Sequence, residues 1–244
     1  MKLLDAQDLT VRFGGLTALD GVSLHVEEAQ LAGVMGPNGA GKSTLMSVLS
    51  GQISSHEGRI EYAGRNLRRL APHRRARLGI ARTFQRLELW GSLTVRGNIL
   101  TAAELAKAWR PDTDPPRVAD ALIERLGLSH VADSVAKSLP TGLARVTEVA
   151  RALASSPRLL LLDEPSAGLD DTESRQLSDA LVRTAAEGTA ILLVEHHVDM
   201  LMQACSYLWV LDFGQLIAHG TPAEVRGNAA VQDAYLGSRN AARA

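Results

Sequence analysis

Apolar residues in this chain gather in short runs separated by longer stretches in which they return every three or four positions. That alternation predicts a mostly parallel sheet covered by helices on both faces. Strand-like runs occupy residues 3–11, 22–27, 31–35, 159–163, 190–195 and 207–212. Helical spacing predicts a helix over Lys42–Ser50, with Gly51 suited to the left-handed position that closes it. From about residue 87 to 156 strand-like runs thin out, and helices are predicted over 95–108, 117–126 and 144–154. The segment Trp109-Arg110-Pro111-Asp112-Thr113-Asp114-Pro115-Pro116 interrupts them and predicts an exposed loop. The chain therefore reads as one α/β domain over 1–244. Residues of about 1–86 and 157–238 form its core, about 87–156 an inserted helical lobe, and 239–244 a frayed tail.

Composition narrows the class. With 244 residues the chain can bury a substantial core. Its formal charge of −1 argues against a general nucleic-acid binder. The single cysteine, Cys205, excludes an internal disulfide and suits a reducing compartment. Met1-Lys2-Leu3-Leu4-Asp5 meets an acid before any signal-peptide apolar stretch forms. The longest apolar runs are strand-length, so a membrane role must come through a partner. Arginine is concentrated at Arg59, Arg65, Arg68, Arg69, Arg74, Arg75, Arg77, Arg82 and Arg86. Such a run is expected to be a solvated face with nearby acidic partners, ahead of a docking surface for protein or lipid headgroups.

The sharpest chemical signal is Gly36-Pro37-Asn38-Gly39-Ala40-Gly41-Lys42-Ser43-Thr44, directly after the apolar run 31–35. Glycines let backbone N–H groups converge on phosphate oxygens where Cβ atoms would intrude, and the following helix adds its positive dipole end. Lys42 is expected to neutralise phosphate charge and Ser43 to hold Mg²⁺. A nucleoside triphosphate is the implied ligand. The chain has 21 Gly but only four Lys, so a chance match of the whole pattern between strand and helix is improbable.

About 120 residues later, four leucines run into Asp163-Glu164. A buried strand ending in two acids delivers carboxylates to the C-terminal edge of the sheet, where such sheets bind ligands. Asp163 is expected to hold Mg²⁺ through water, and Glu164 to act as general base on the attacking water. Glu195-His196-His197 ends another apolar run. Neighbouring strand residues face opposite ways, so the two histidines do not share a metal, and His196 suits a γ-phosphate contact. Gln85 has the reach for Mg²⁺ or the water, although taken alone it reads as a surface glutamine.

In this order the motifs resemble the ATP-binding subunits of ABC transporters over nearly the whole chain. The resemblance implies a P-loop NTPase fold with a RecA-like core, an antiparallel β subdomain and a helical lobe. It also implies Phe13 stacked on adenine, Gly36–Thr44 as Walker A, Gln85 as the Q-loop glutamine and Asp163-Glu164 as Walker B. Asp170 falls in the D-loop and His196 is the switch histidine. Two such subunits would close head to tail over two ATP molecules on the cytoplasmic face of the membrane, against permease subunits that the stretch 87–90 would contact. Trp90 itself is expected in the lobe's core. An extracytoplasmic substrate-binding protein completes the set, and nucleic acid is not a partner. The segments Ala81–Gln85, Leu93–Ile99 and Val231–Gly237 resemble the branched-chain amino acid importer branch. Urea and short-amide importers and the lipopolysaccharide-export ATPase share parts of the pattern, and a non-catalytic sensing subunit has the same motifs.

The signature segment departs from the family's usual Leu-Ser-Gly-Gly-Gln. Here it reads Leu139-Pro140-Thr141-Gly142-Leu143. Pro140 brings neither hydroxyl nor N–H to the opposite subunit's γ-phosphate. Thr141 and Gly142 remain as the candidate contacts. Tolerated drift and a deliberately weakened second site are both open on the sequence.

Overall fold

A long hairpin opens the chain: β1 (Lys2–Phe13) and β2 (Leu16–Glu27) pair antiparallel around the turn at Gly14-Gly15. The structure, a computed structural model, describes the backbone of residues 1–241 and side chains as far as Tyr235. After β2 come β3 (Leu31–Met35), α1 (Lys42–Ser50), β4 (Glu57–Tyr62), β5 (Arg65–Asn66), α2 (Pro72–Arg77) and β6 (Ile80–Arg82). Three helices follow, α3 (Val95–Lys107), α4 (Pro115–Arg125) and α5 (Thr141–Leu153). The chain then alternates again through β7 (Leu159–Asp163), α6 (Asp171–Ala186), β8 (Ala190–Val194), α7 (Val198–Ala204) and β9 (Tyr207–Asp212). It closes with β10 (Gln215–Gly220), α8 (Pro222–Gly227) and α9 (Ala229–Ala241).

Two sheets result. The smaller is antiparallel in the order β2-β1-β4-β5, and the larger runs β10-β9-β3-β8-β7-β6. All neighbours in the larger sheet are parallel except β10 on β9. Its central strands are buried on both faces, and side-chain alternation divides them between two cores. Leu160, Leu162, Ile191 and Leu193 pack toward the helices, while Leu159, Leu161, Ala190 and Leu192 pack toward α1 and the antiparallel sheet. Each fully buried leucine contributes about 2 kcal/mol.

Local chemistry explains the boundaries. Gly51 closes α1 in the left-handed region at φ 84°, as its position predicts. Thr94 and Asp114 cap α3 and α4, and Asp170 with Glu173 forms a capping box on α6. Pro115 and Pro116, read as loop, open α4, because proline suits a first helical turn. The loop before them spans 108–114. Helix α5 begins at Thr141, three residues ahead of expectation, with Pro140 as its N-cap. Strand β2 begins six residues earlier than its apolar run, since Asp20 and Gly21 break the pattern while the ladder continues through bulges. The tail expected from residue 239 is helical as far as Ala241, and 242–244 lie outside the described residues.

The arginine-rich stretch is not uniformly solvated. Arg75 is 3 % exposed and donates to the carbonyls of Val48, Leu49, Leu67 and Leu70, bracing the C-terminal end of α1 where a cation is favoured. Arg82 is also withdrawn from solvent, and Arg59 pairs with Glu61 at 3.4 Å. Arg65, Arg68, Arg69, Arg74, Arg77 and Arg86 are exposed. No described helix is long and apolar enough to cross a membrane.

Candidate nucleotide site

The loop 36–43 leaves β3 at the C-terminal edge of the large sheet and enters α1. A Cβ on Gly36 would stand 2.1 Å from the Leu211 carbonyl oxygen, and one on Gly41 2.5 Å from that of Ala18. Gly41 is the N-cap of α1 at φ 101° and offers no side-chain acceptor, so the helix N-terminus is left to a ligand. Lys42 is 6 % exposed, and its ammonium donates to the carbonyls of Gly36 at 2.6 Å and Pro37 at 2.9 Å. Burial pushes Lys42 below the ordinary lysine pKa, while Glu164 and Asp163 pull it back up. Its charge is therefore held inside the loop. Ser43, the next residue, is exposed.

Asp163 ends β7 at 1 % exposure. Its Oδ2 lies 3.3 Å from Arg82 Nη2, whereas Oδ1 is buried with no partner. Burial raises this carboxyl and the Arg82 guanidinium draws it back down. Glu164, the next residue, has φ 52°, a left-handed conformation that costs a non-glycine residue about 1–3 kcal/mol. Its N–H donates to Val194 O at 2.9 Å, anchoring the turn to β8. The turned side chain reaches His196, with Oε1 2.6 Å from Nε2.

Glu195 went unassigned in the sequence and is central here. At 2 % exposure it accepts from Ser166 N at 2.8 Å and His196 N at 3.2 Å, tying the segment after Glu164 to the histidine. Its signal was a carboxylate closing a run of buried aliphatics. His196 and His197 diverge as expected, His196 lining a cleft of about 1060 Å³ with Gly36–Ala40 and His197 a groove between α6 and α7.

Other expected residues lie apart in this chain. Gln85 is exposed and its side chain makes no hydrogen bond among the described residues; its carbonyl instead accepts from Arg145 of α5. Arg145 also donates to Phe84 O at 2.7 Å and pairs with Glu148, which accepts from Glu88 N at 3.2 Å. The stretch around Gln85 is thus fastened to α5, the helix that begins within Leu139–Leu143. Trp90, expected in the lobe's core, is 40 % exposed, with Arg151 over its ring at 5.1 Å. Phe13 is 49 % exposed at the hairpin turn. Gly142 packs on the chain's own Gly168 and Leu169, where a Cβ would come within 2.9 Å of the Gly168 carbonyl oxygen. Asp170 serves its own helix, accepting from Thr172 N and Glu173 N at 2.8 Å each.

A glycine loop, a buried lysine and two strand-end acids converging on one edge define a P-loop nucleotide-binding protein. The model of the ABC transporter family matches residues 19–167, and the chain belongs to that family. Residues 215–241 match a second model, described as the branched-chain amino acid ATP-binding cassette transporter. The chain is 36% identical over 249 residues to the high-affinity branched-chain amino acid transport ATP-binding protein BraF of Pseudomonas aeruginosa, covering 96% of this chain and 98% of that one. It is 32% identical to the lipopolysaccharide export system ATP-binding protein LptB of Haemophilus influenzae, covering 98% and 99%. Among solved structures, a nucleotide-free ATP-binding cassette from an ABC transporter superposes with a TM-score of 0.85 at 29% identity, covering 96% and 99%. The protein is an ABC ATPase, an ATP-binding and ATP-hydrolysing transporter subunit.

Proposed function

We propose that this chain powers import of branched-chain amino acids, from the cytoplasmic face of the membrane, with permease subunits, a second ATPase subunit and an extracytoplasmic binding protein. The match of residues 215–241 to the branched-chain amino acid model carries the substrate reading. Phe13 stacks on adenine, Gly36–Thr44 cradle the phosphates, and Lys42 neutralises them. Ser43, Asp163 and Gln85 hold Mg²⁺. The exposed Ser43 hydroxyl and the orphaned Asp163 Oδ1 are hard oxygen donors of the kind that ion takes, which supports the fit. When bound, Mg²⁺ supplies neutralising charge to the phosphate oxygens. Glu164 takes the proton of the attacking water, and His196, held beside it, contacts the γ-phosphate.

Thr141 and Gly142 serve the facing subunit's nucleotide rather than this chain's own, and Asp170 orders the D-loop between the two sites. Helix α5 has an N-terminus without a side-chain cap, which suits it to a phosphate across the interface. Pro140 removes the usual hydroxyl, so the reading includes an unlike second ATPase subunit whose site this chain serves weakly.

Reconstitution with the permease and binding protein in proteoliposomes tests the substrate. ATP-dependent uptake of labelled leucine is expected. Absence of leucine uptake alongside urea uptake or lipopolysaccharide extraction would replace the importer assignment.

A further inference from the structure

The two oxygens of Asp163 have different surroundings. Oδ2 faces Arg82 Nη2 at 3.3 Å, and Oδ1 has no hydrogen-bond partner. Arg82 is the last residue of β6, three positions before Gln85, and its side chain is 8 % exposed. Its other terminal nitrogen, Nη1, donates to Ser50 Oγ at 2.9 Å, Ser47 Oγ at 3.1 Å and Gln52 Oε1 at 2.9 Å. Those acceptors lie in and just beyond the C-terminal half of α1, the helix that begins with Lys42 and Ser43. The guanidinium also sits over the Phe84 ring, 5.2 Å from its centroid. One planar fork therefore spans three segments that carry the expected magnesium ligands: α1, the end of β7 and the approach to Gln85.

Geometry makes the fork specific. Guanidinium nitrogens are fixed in one plane, so binding Ser47 and Ser50 with one arm sets where the other arm meets the carboxylate. A carboxylate rotates about its last torsion with a broad, two-fold preference. Without a partner on Oδ2, Asp163 would be free to turn either oxygen into the cleft or toward the Lys42 ammonium. The two withdrawn arginines differ in this respect. Arg75 bonds only backbone carbonyls and braces the fold, whereas Arg82 bonds the carboxylate that ends β7 beside Glu164.

We propose that Arg82 is a positioning residue for the magnesium site: by occupying Oδ2 and tying β7 to α1, it presents Asp163 Oδ1 alone to hydrated Mg²⁺ beside Ser43. This role rests on the proposed use of Mg²⁺ at Ser43 and Asp163.

The test compares Arg82→Met, Arg82→Lys and Arg75→Met with wild type in the purified full-length chain. Binding of fluorescent N-methylanthraniloyl-ATP is followed in EDTA and across a Mg²⁺ titration, and Mn²⁺ in the nucleotide complex is read by electron paramagnetic resonance. Arg82→Met is expected to bind nucleotide in EDTA within about twofold of wild type yet to need about tenfold more Mg²⁺ for half-maximal tightening. Its Mn²⁺ spectrum broadens, and Arg82→Lys recovers part of the shift. Arg75→Met lowers the thermal midpoint and leaves the Mg²⁺ midpoint in place.

An unchanged Mg²⁺ midpoint and Mn²⁺ spectrum in folded Arg82→Met overturns the proposal, as does an equal loss of affinity with and without Mg²⁺. Should Arg82→Met not fold, the triple variant Ser47→Ala, Ser50→Ala and Gln52→Ala removes all three acceptors of Nη1 and keeps the contact to Asp163; an unshifted Mg²⁺ midpoint there also overturns it. Wild-type binding that ignores Mg²⁺ altogether would instead remove the magnesium reading beneath it.

Discussion

Glu164 Oε1 lies 2.6 Å from His196 Nε2, so the acid at the end of one core strand is held by the histidine beyond the next. Strands β7 and β8 are parallel neighbours, with Asp163 in register with Val194. The left-handed turn at Glu164 then aims its side chain across the gap. His196→Ala removes a restraint on Glu164 and, with it, the contact proposed for the γ-phosphate. It is expected to lower kcat by about 10²-fold with little change in nucleotide affinity, read by steady-state hydrolysis beside equilibrium binding.

Lys42 carries a proton-linked prediction. Its pKa is depressed in the free protein by burial, and the phosphates proposed to bind against it would raise it again. Between those two values the free side chain is neutral and the bound one charged. ATP binding on the alkaline side should therefore take up protons, seen as a buffer-dependent enthalpy in calorimetry. Lys42→Ala is expected to lose both the uptake and most of the affinity.

Glu195 is expected to be a structural pivot. Glu195→Ala leaves the N–H groups of Ser166 and His196 without their acceptor, a loss of about 1–3 kcal/mol that a melting curve resolves. Hydrolysis should fall with it, because both segments it joins border Glu164.

Pro140 is the site of the predicted asymmetry. Changing Pro140→Ser and Thr141→Gly together in the assembled transporter should raise single-turnover hydrolysis at the facing subunit's Walker site about tenfold. An unaltered rate there would mean that this branch tolerates the substituted segment.

Much of the fold was legible because its buried strands are continuous aliphatic runs. Leu159–Leu162, Ile191–Val194 and Leu208–Leu211 have no wet face to confuse the pattern. Strand β4 was not legible, since Glu57, Arg59 and Glu61 alternate with only Ile60 and Tyr62 as large buried residues. The phosphate loop and the Asp163-Glu164 pair stood out through residue type and spacing. Arg82 and Glu195 did not, because their meaning lies in partners 81 and 29 positions away. Local sequence marks a charged residue at a strand end but not the atom it will face.

The most direct measurement is ATP turnover and nucleotide retention by the purified transporter carrying Glu164→Gln. Loss of the proposed general base should cut hydrolysis by about 10²–10⁴-fold while ATP stays bound. Turnover near the wild-type rate would contradict the role given to Glu164 and, with it, the proposed chemistry of the site.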